Sequence, residues 1–201
     1  MKAHIVMLAL LACKATLACA KQPSTKGIQG HEWNFDGCHF KMADPFRGRT
    51  SGPGGAAYFA QISPKARHPF ETWIQFSCQN PVTPEIYVDR AGIRMTDKGW
   101  ALDPSPDNIG LKEQHTTFYA LHGKGWDGGG VTQDDINGDE KRRTRAFSFC
   151  IPHKQLALCG SIQNVAYLMW LKETTLPQVI KLLESIEFVD TPASGGTAAK
   201  P

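Results

Sequence analysis

The chain has 201 residues, 41% of them hydrophobic and 20% charged, a balance that suits a globular protein with its own core and excludes a wholly disordered chain. The formal charge is +3, and it becomes +1 if the first twenty residues are removed, because Lys2 and Lys14 leave and no acid does. A near-neutral domain has no electrostatic reason to bind nucleic acid or to adhere to a membrane by charge.

Those first twenty residues have the architecture of a secretory signal, with basic Lys2, an apolar run from Ile5 to Ala12 and small residues ending in Ala18-Cys19-Ala20. The apolar run is far shorter than the ~20 residues that a spanning helix needs, and none later in the chain is longer, so no transmembrane span is expected. Cleavage after Ala20 gives a soluble protein. Thr16-Leu17-Ala18-Cys19 also resembles a lipoprotein box, which would leave a lipid anchor at Cys19; Leu10-Leu11-Ala12-Cys13 fits by residue type but shortens the apolar segment. Both routes lead to the periplasm, soluble or lipid-anchored, an oxidising compartment. Residues 21–30 and 191–201 are rich in Gly, Pro, Ser, Thr, Ala and Lys. They are expected to be a disordered tail or tether and a disordered C-terminal tail around a single globular domain over 31–190.

Within that domain, short β-rich runs punctuated by Gly and Pro predict strands over 35–41, 57–62, 72–78, 85–89, 92–96, 116–121, 145–151 and 156–160. Ile74, Phe76 and Cys78 share one face of the third run. Residues 86–95 predict a hairpin, two β-rich runs around a short turn ending at Gly92. Near the C-terminus Thr175-x-x-Gln178 predicts a capping box, with Pro177 in the first turn and Leu176, Val179, Ile180, Leu183 and Ile186 on one helical stripe. Leu182 falls outside the stripe. A last short strand is expected at Glu187-Phe188-Val189. The fold class is therefore α+β, a mainly antiparallel sheet with a C-terminal helix packed on it.

Four cysteines belong to this domain, Cys38, Cys78, Cys150 and Cys159, and they allow three pairings. The turn at 152–155 makes Cys150–Cys159 the bridge that needs least rearrangement, which leaves Cys38–Cys78. Two such staples are expected in preference to a zinc site, since no C-x2-C or H-x3-H spacing occurs. The histidines from His31 to His153 are expected to make local hydrogen bonds on turns and strand faces. No G-x-S-x-G elbow is present, and no Gly-Lys-Ser/Thr follows Gly52-Pro53-Gly54-Gly55, which reads as a flexible connection. Asp135, Asn137 and Asp139 alternate like calcium ligands, but Glu140 stands where the turn glycine belongs and Ala146 where the bidentate Glu belongs. No catalytic residue, metal or cofactor is expected, and the chain is not read as an enzyme.

The Gly- and Asp-rich segment 123–140 predicts a long surface loop, and loops of that kind are usually functional or disordered. Its Trp126 is the expected anchor for a protein partner, with Asp127, Asp134 and Asp135 as a polar rim and Trp100, in another Gly/Asp-rich loop, as the next candidate. The competing account folds Trp126 back onto the sheet.

The succession Trp33-x-Phe35-Asp36-Gly37-Cys38, Gly92-Ile93-Arg94-Met95-Thr96, Phe147-x-Phe149-Cys150-x-x-His153, Leu158-Cys159-Gly160 and Leu183-x-Ser185-Ile186-Glu187-Phe188 resembles small exported proteobacterial proteins encoded beside type VI secretion effectors. Some of those are immunity proteins. The resemblance runs from Trp33 to Val189 and rests on structural cysteines, strands and a closing helix. It implies a periplasmic protein that binds a toxin acting on the cell envelope and blocks it in the producing cell. The alternative is a periplasmic ligand-binding or envelope-accessory protein with no toxin partner.

Overall fold

The first strands show how a two-residue turn reshapes an apolar run. In the computed structural model, which describes residues 30–51 and 56–190, β1 (Gly30–Phe35) and β2 (Cys38–Ala43) form an antiparallel hairpin. Asp36 and Gly37 between them have φ of 49° and 93°, the doubly positive geometry that an Asp-Gly turn favours. The single strand expected over 35–41 is thus two. The secretory signal, Cys19 with its lipid-anchor reading, residues 21–29, the connection at 52–55 and the C-terminal tail lie outside the described residues.

Next come β3 (Arg49–Ser51), β4 (Ala57–Ala60) and β5 (Thr72–Gln79), paired in that order. The hairpin expected over 86–95 does not form. Its first half is α1 (Pro84–Ala91), bounded by Thr83 before Pro84 and by Gly92 at φ 62°, whose N–H donates to the carbonyls of Tyr87 and Val88. Pro at the helix start, Glu85 in the first turn, Arg90 in the last and a left-handed Gly cap together override the β-propensity of Ile86-Tyr87-Val88. The second half, β6 (Ile93–Thr96), pairs instead with β7 (Gly99–Leu102). A single helical turn, α2 (Pro106–Ile109), follows.

The expected loop 123–140 is mostly strand. β8 (Thr117–Gly123) turns at Lys124-Gly125 into β9 (Trp126–Asp134), which pairs with β8 on one side and β10 (Thr144–His153) on the other. The glycine run belongs in a strand because its neighbours crowd it. A Cβ at Gly128 would lie 2.5 Å from the Cys150 carbonyl oxygen, and one at Gly129 would lie 2.7 Å from the Phe118 ring. Apart from the Lys124-Gly125 turn, the segment leaves the strands only at 135–140, which ends in a 3-10 turn over Glu140–Arg142, with Asp135 accepting from the Asn137 N–H and Asp139 from the Lys141 N–H.

β11 (Leu156–Tyr167) then runs between β10 and β5, and α3 (Leu176–Glu184) leads into β12 (Glu187–Phe188) beside β2. The result is α+β and mainly antiparallel: a seven-stranded sheet ordered β3-β4-β5-β11-β10-β9-β8, a three-stranded sheet β1-β2-β12 and the β6–β7 hairpin. One face of the large sheet, carrying Ile74, Phe76, Phe147, Phe149, Leu158 and Ile162, is covered by α3 and the three-stranded sheet. The other face is covered over part of its area by α1 and β6–β7, around Ile93, Val131, Ala157 and the Cys150–Cys159 bridge. The second bridge, Cys38–Cys78, ties β2 to β5, so both expected pairings form.

The helix stripe packs as expected, with Val179, Leu183 and Ile186 fully buried. Leu182 is buried as well, because α3 is enclosed by sheet on two sides, which widens the apolar face beyond one stripe. The capping box does not form. The Leu176 N–H is accepted by the Thr174 hydroxyl, while the Thr175 hydroxyl turns inward to the Val165 carbonyl.

Candidate binding face

Strand β5 alternates strictly. Thr72, Ile74 and Phe76 point into the core, and Trp73 and Gln75 point to the opposite face, where both are exposed. α1 and the β6–β7 hairpin cover only part of that face, and Trp73 and Gln75 lie on the part left open. Its floor is a row of small polar residues in register across three strands, Ser148 on β10 opposite Ser161 on β11, and Ser161 opposite Gln75 on β5. Arg90, in the last turn of α1, overhangs the edge of this floor and lines two depressions. The first, of about 130 Å³, is bounded by Asp89, Arg90, Asn108, Gln133 and Ser148. The second, of about 210 Å³, is bounded by Gln75, Ser77, Arg90 and Ser161.

An aromatic ladder borders the floor on the β3–β4–β5 side. Phe59 pairs in register with both Arg49 and Trp73, so the three side chains line up across adjacent strands. The Phe59 and Trp73 rings stack with centroids 5.5 Å apart, and the Arg49 guanidinium sits 4.3 Å above the Phe59 ring. Glu71 accepts from the same guanidinium through both oxygens, at 3.0 and 3.2 Å, which fixes the end of the ladder. Trp73 nevertheless keeps 45% of its surface exposed. A rigid, half-exposed indole on a strand costs little ordering entropy when a partner covers it.

The residues expected to form a partner surface are not brought together. Trp126 is only 6% exposed, and its indole N–H donates to the Ile186 carbonyl at 2.9 Å, so it joins the sheet to the end of α3 and cannot anchor a partner. Asp134 is buried on the same inner face, held by a fork from Arg145 at 2.5 and 2.8 Å and by His115 at 3.0 Å. That hydrogen-bonded carboxylate raises the Arg145 guanidinium above its usual range. Asp127 is exposed on the opposite face and pairs with His122 at 2.7 Å. Trp100 is half-buried against Tyr87 and donates to the Asp127 carbonyl at 3.0 Å. Asp135 closes its own turn. The strand periodicity of β9 is what separates them, since alternate residues face opposite ways.

All six histidines from His31 to His153 meet a carboxylate within 3.1 Å, but the bonds are local as expected only for His39 and His122, and His68 reaches Glu173 across the fold. Asp44, like Asp134, is buried. Burial opposes its charge, but the Tyr58 hydroxyl at 2.6 Å, the Gly48 N–H at 3.0 Å and His31 at 3.0 Å donate to it and hold the carboxyl below its usual range. Burial, and then that carboxylate, push the Tyr58 phenol up. Among the described residues no three His, Cys, Asp or Glu side chains converge as metal ligands, and no helix is long and apolar enough to cross a membrane.

The open face was missed in the sequence, although a signal for it exists. Trp73-Ile74-Gln75-Phe76-Ser77 puts a tryptophan on the polar side of an alternating strand, where packing does not require one. Comparison with protein-family models and with curated proteins finds no match for this chain.

Proposed function

We propose that this is an exported periplasmic binding protein of the immunity type, which neutralises a type VI secretion toxin acting on the cell envelope by engaging it with the open half of the large sheet. The observation that carries the reading is the ladder of Trp73, Phe59 and Arg49 on the open part of this face, with Gln75, two residues along β5 from Trp73, sharing a depression with Arg90. Trp and Arg are the residue types that most often dominate protein interfaces, and one such anchor is worth ~2 kcal/mol or more when a partner buries it. The two disulfides are the chemistry of an oxidising compartment and agree with export to the periplasm. The ladder is braced on the core side by buried Ile74 and Tyr58, so the surface needs no folding step to bind.

The test is co-expression with the product of the adjacent gene, which this reading expects to be the effector. Producing cells should survive effector expression in the periplasm, and the two proteins should co-purify. Survival without co-purification, or co-purification without survival, defeats the immunity reading. The polar depressions beside Arg90 favour a second reading, a periplasmic ligand-binding or envelope-accessory protein, in which a small polar ligand occupies them.

A further inference from the structure

We infer that the depression between Arg90 and the floor of β5 and β11 is a carboxylate-binding subsite. Its donors are the Arg90 guanidinium, the Ser161 hydroxyl and the Gln75 carboxamide, while the Ser77 hydroxyl beside them donates to the Cys159 carbonyl at 3.5 Å, and no acidic residue lines it. Arg49 and Arg145 are neutralised by Glu71 and Asp134, whereas Arg90 has no carboxylate partner among the described residues. A guanidinium left free above a floor of neutral donors matches a planar carboxylate, which takes a two-pronged hydrogen bond from the Arg fork and further bonds from the Ser161 hydroxyl and the Gln75 amide.

Size and charge narrow the ligand. At about 210 Å³ the space is smaller than the ~300 to 1,000 Å³ of drug- or cofactor-sized pockets, and it suits one acidic side chain or a small free acid. One cation balances one negative charge. Asp89 lines the neighbouring depression and would repel the second charge of a phosphate dianion. The subsite needs no toxin partner to be tested, so its failure and that of the immunity reading are separable.

The experiment is an NMR titration of the purified protein, following the Arg90 side-chain N–H and the backbone amides of Gln75 and Ser161. The probes are the blocked peptides acetyl-Gly-Glu-Gly-amide and acetyl-Gly-Gln-Gly-amide, with butyrate and inorganic phosphate. The Glu peptide should give saturable shifts and its Gln isostere none. Arg90→Gln, with melting temperature measured on the same sample, should weaken binding at least about tenfold. Arg94→Gln, an exposed residue of β6, should titrate like the parent protein. Tighter binding of the Glu peptide than of butyrate identifies a chain-borne carboxylate, and equal or tighter butyrate binding identifies a free acid; both uphold the subsite. It is overturned by absent saturation, by equal response to the Gln peptide, by preference for phosphate, or by a folded Arg90→Gln protein that binds undiminished.

Discussion

On one face of the seven-stranded sheet Ile74, Phe76, Phe147 and Phe149 are at most 3% exposed, sealed under α3 and the small sheet. On the other, Trp73, Gln75 and Ser161, interleaved with residues of that core on β5 and β11, reach solvent wherever α1 and β6–β7 end. The same backbone therefore serves two purposes through its two-residue period. Where both layers are present, a side chain contributes to stability. Where the outer layer stops, the side chain is held rigidly by a finished core and is free to contact something else. Substitutions on the two faces should accordingly separate into those that unfold the protein and those that do not.

The largest effect is expected at the sealed face. Leu183→Asp puts a charge into the space between α3 and the sheet and should lower stability by roughly 4 kcal/mol or more, read as a denaturant midpoint. Lys181→Asp, on the exposed side of the same helix, should change it little. Equal midpoints for the two would show that α3 does not face the core. The disulfides come next. Cys38–Cys78 spans 40 residues and joins the small sheet to the large one, and Cys150–Cys159 spans 9 within one hairpin. Loop-closure entropy then assigns about 4 kcal/mol to the first and about 2.5 kcal/mol to the second, so replacing both cysteines of the first pair by serine should lower the midpoint more.

Trp126→Phe removes the indole N–H from the buried Ile186 carbonyl while keeping most of the ring, and a loss of about 1 to 3 kcal/mol is expected. No loss would return Trp126 to the surface. Asp44 sharpens the comparison through pH. Its carboxyl is held below the unfolded value near 3.8, so its contribution is present above about pH 4 and is lost as pH falls through the lower folded value. Acid unfolding of Asp44→Asn should show a shallower slope below pH 4 than the parent protein; an unchanged slope would remove Asp44 from the account. The smallest stability effect belongs to Trp73→Ala, within about 1 kcal/mol, because that indole is half exposed and its neighbours remain packed from below.

What could be read from the sequence follows the strength of its local signals. The α3 stripe of Leu176, Val179, Leu183 and Ile186 was legible because apolar spacing and burial are the same physical fact for a helix on a sheet. The Cys150–Cys159 pair was legible from the turn between them. Residues 84–91 were misread because Ile86-Tyr87-Val88 speaks for a strand and only the Pro84 start and Gly92 cap speak for a helix. Segment 126–134 was misread for the opposite reason. Glycine normally marks a loop, and the rings of Phe118 and Phe147 that require glycine there come from other strands. The open face depends on where α1 ends over the sheet, a tertiary fact that no short window of sequence contains.

The most direct test of the two-face account compares Trp73→Ala with Trp126→Phe for capture of the toxin proposed as the partner, at a temperature where both variants are folded. Trp73→Ala should lose capture with its melting temperature nearly unchanged. Trp126→Phe should melt lower yet capture the effector like the parent protein. Full capture by Trp73→Ala together with loss of capture by folded Trp126→Phe would contradict the account and put the partner on the β9 side of the molecule.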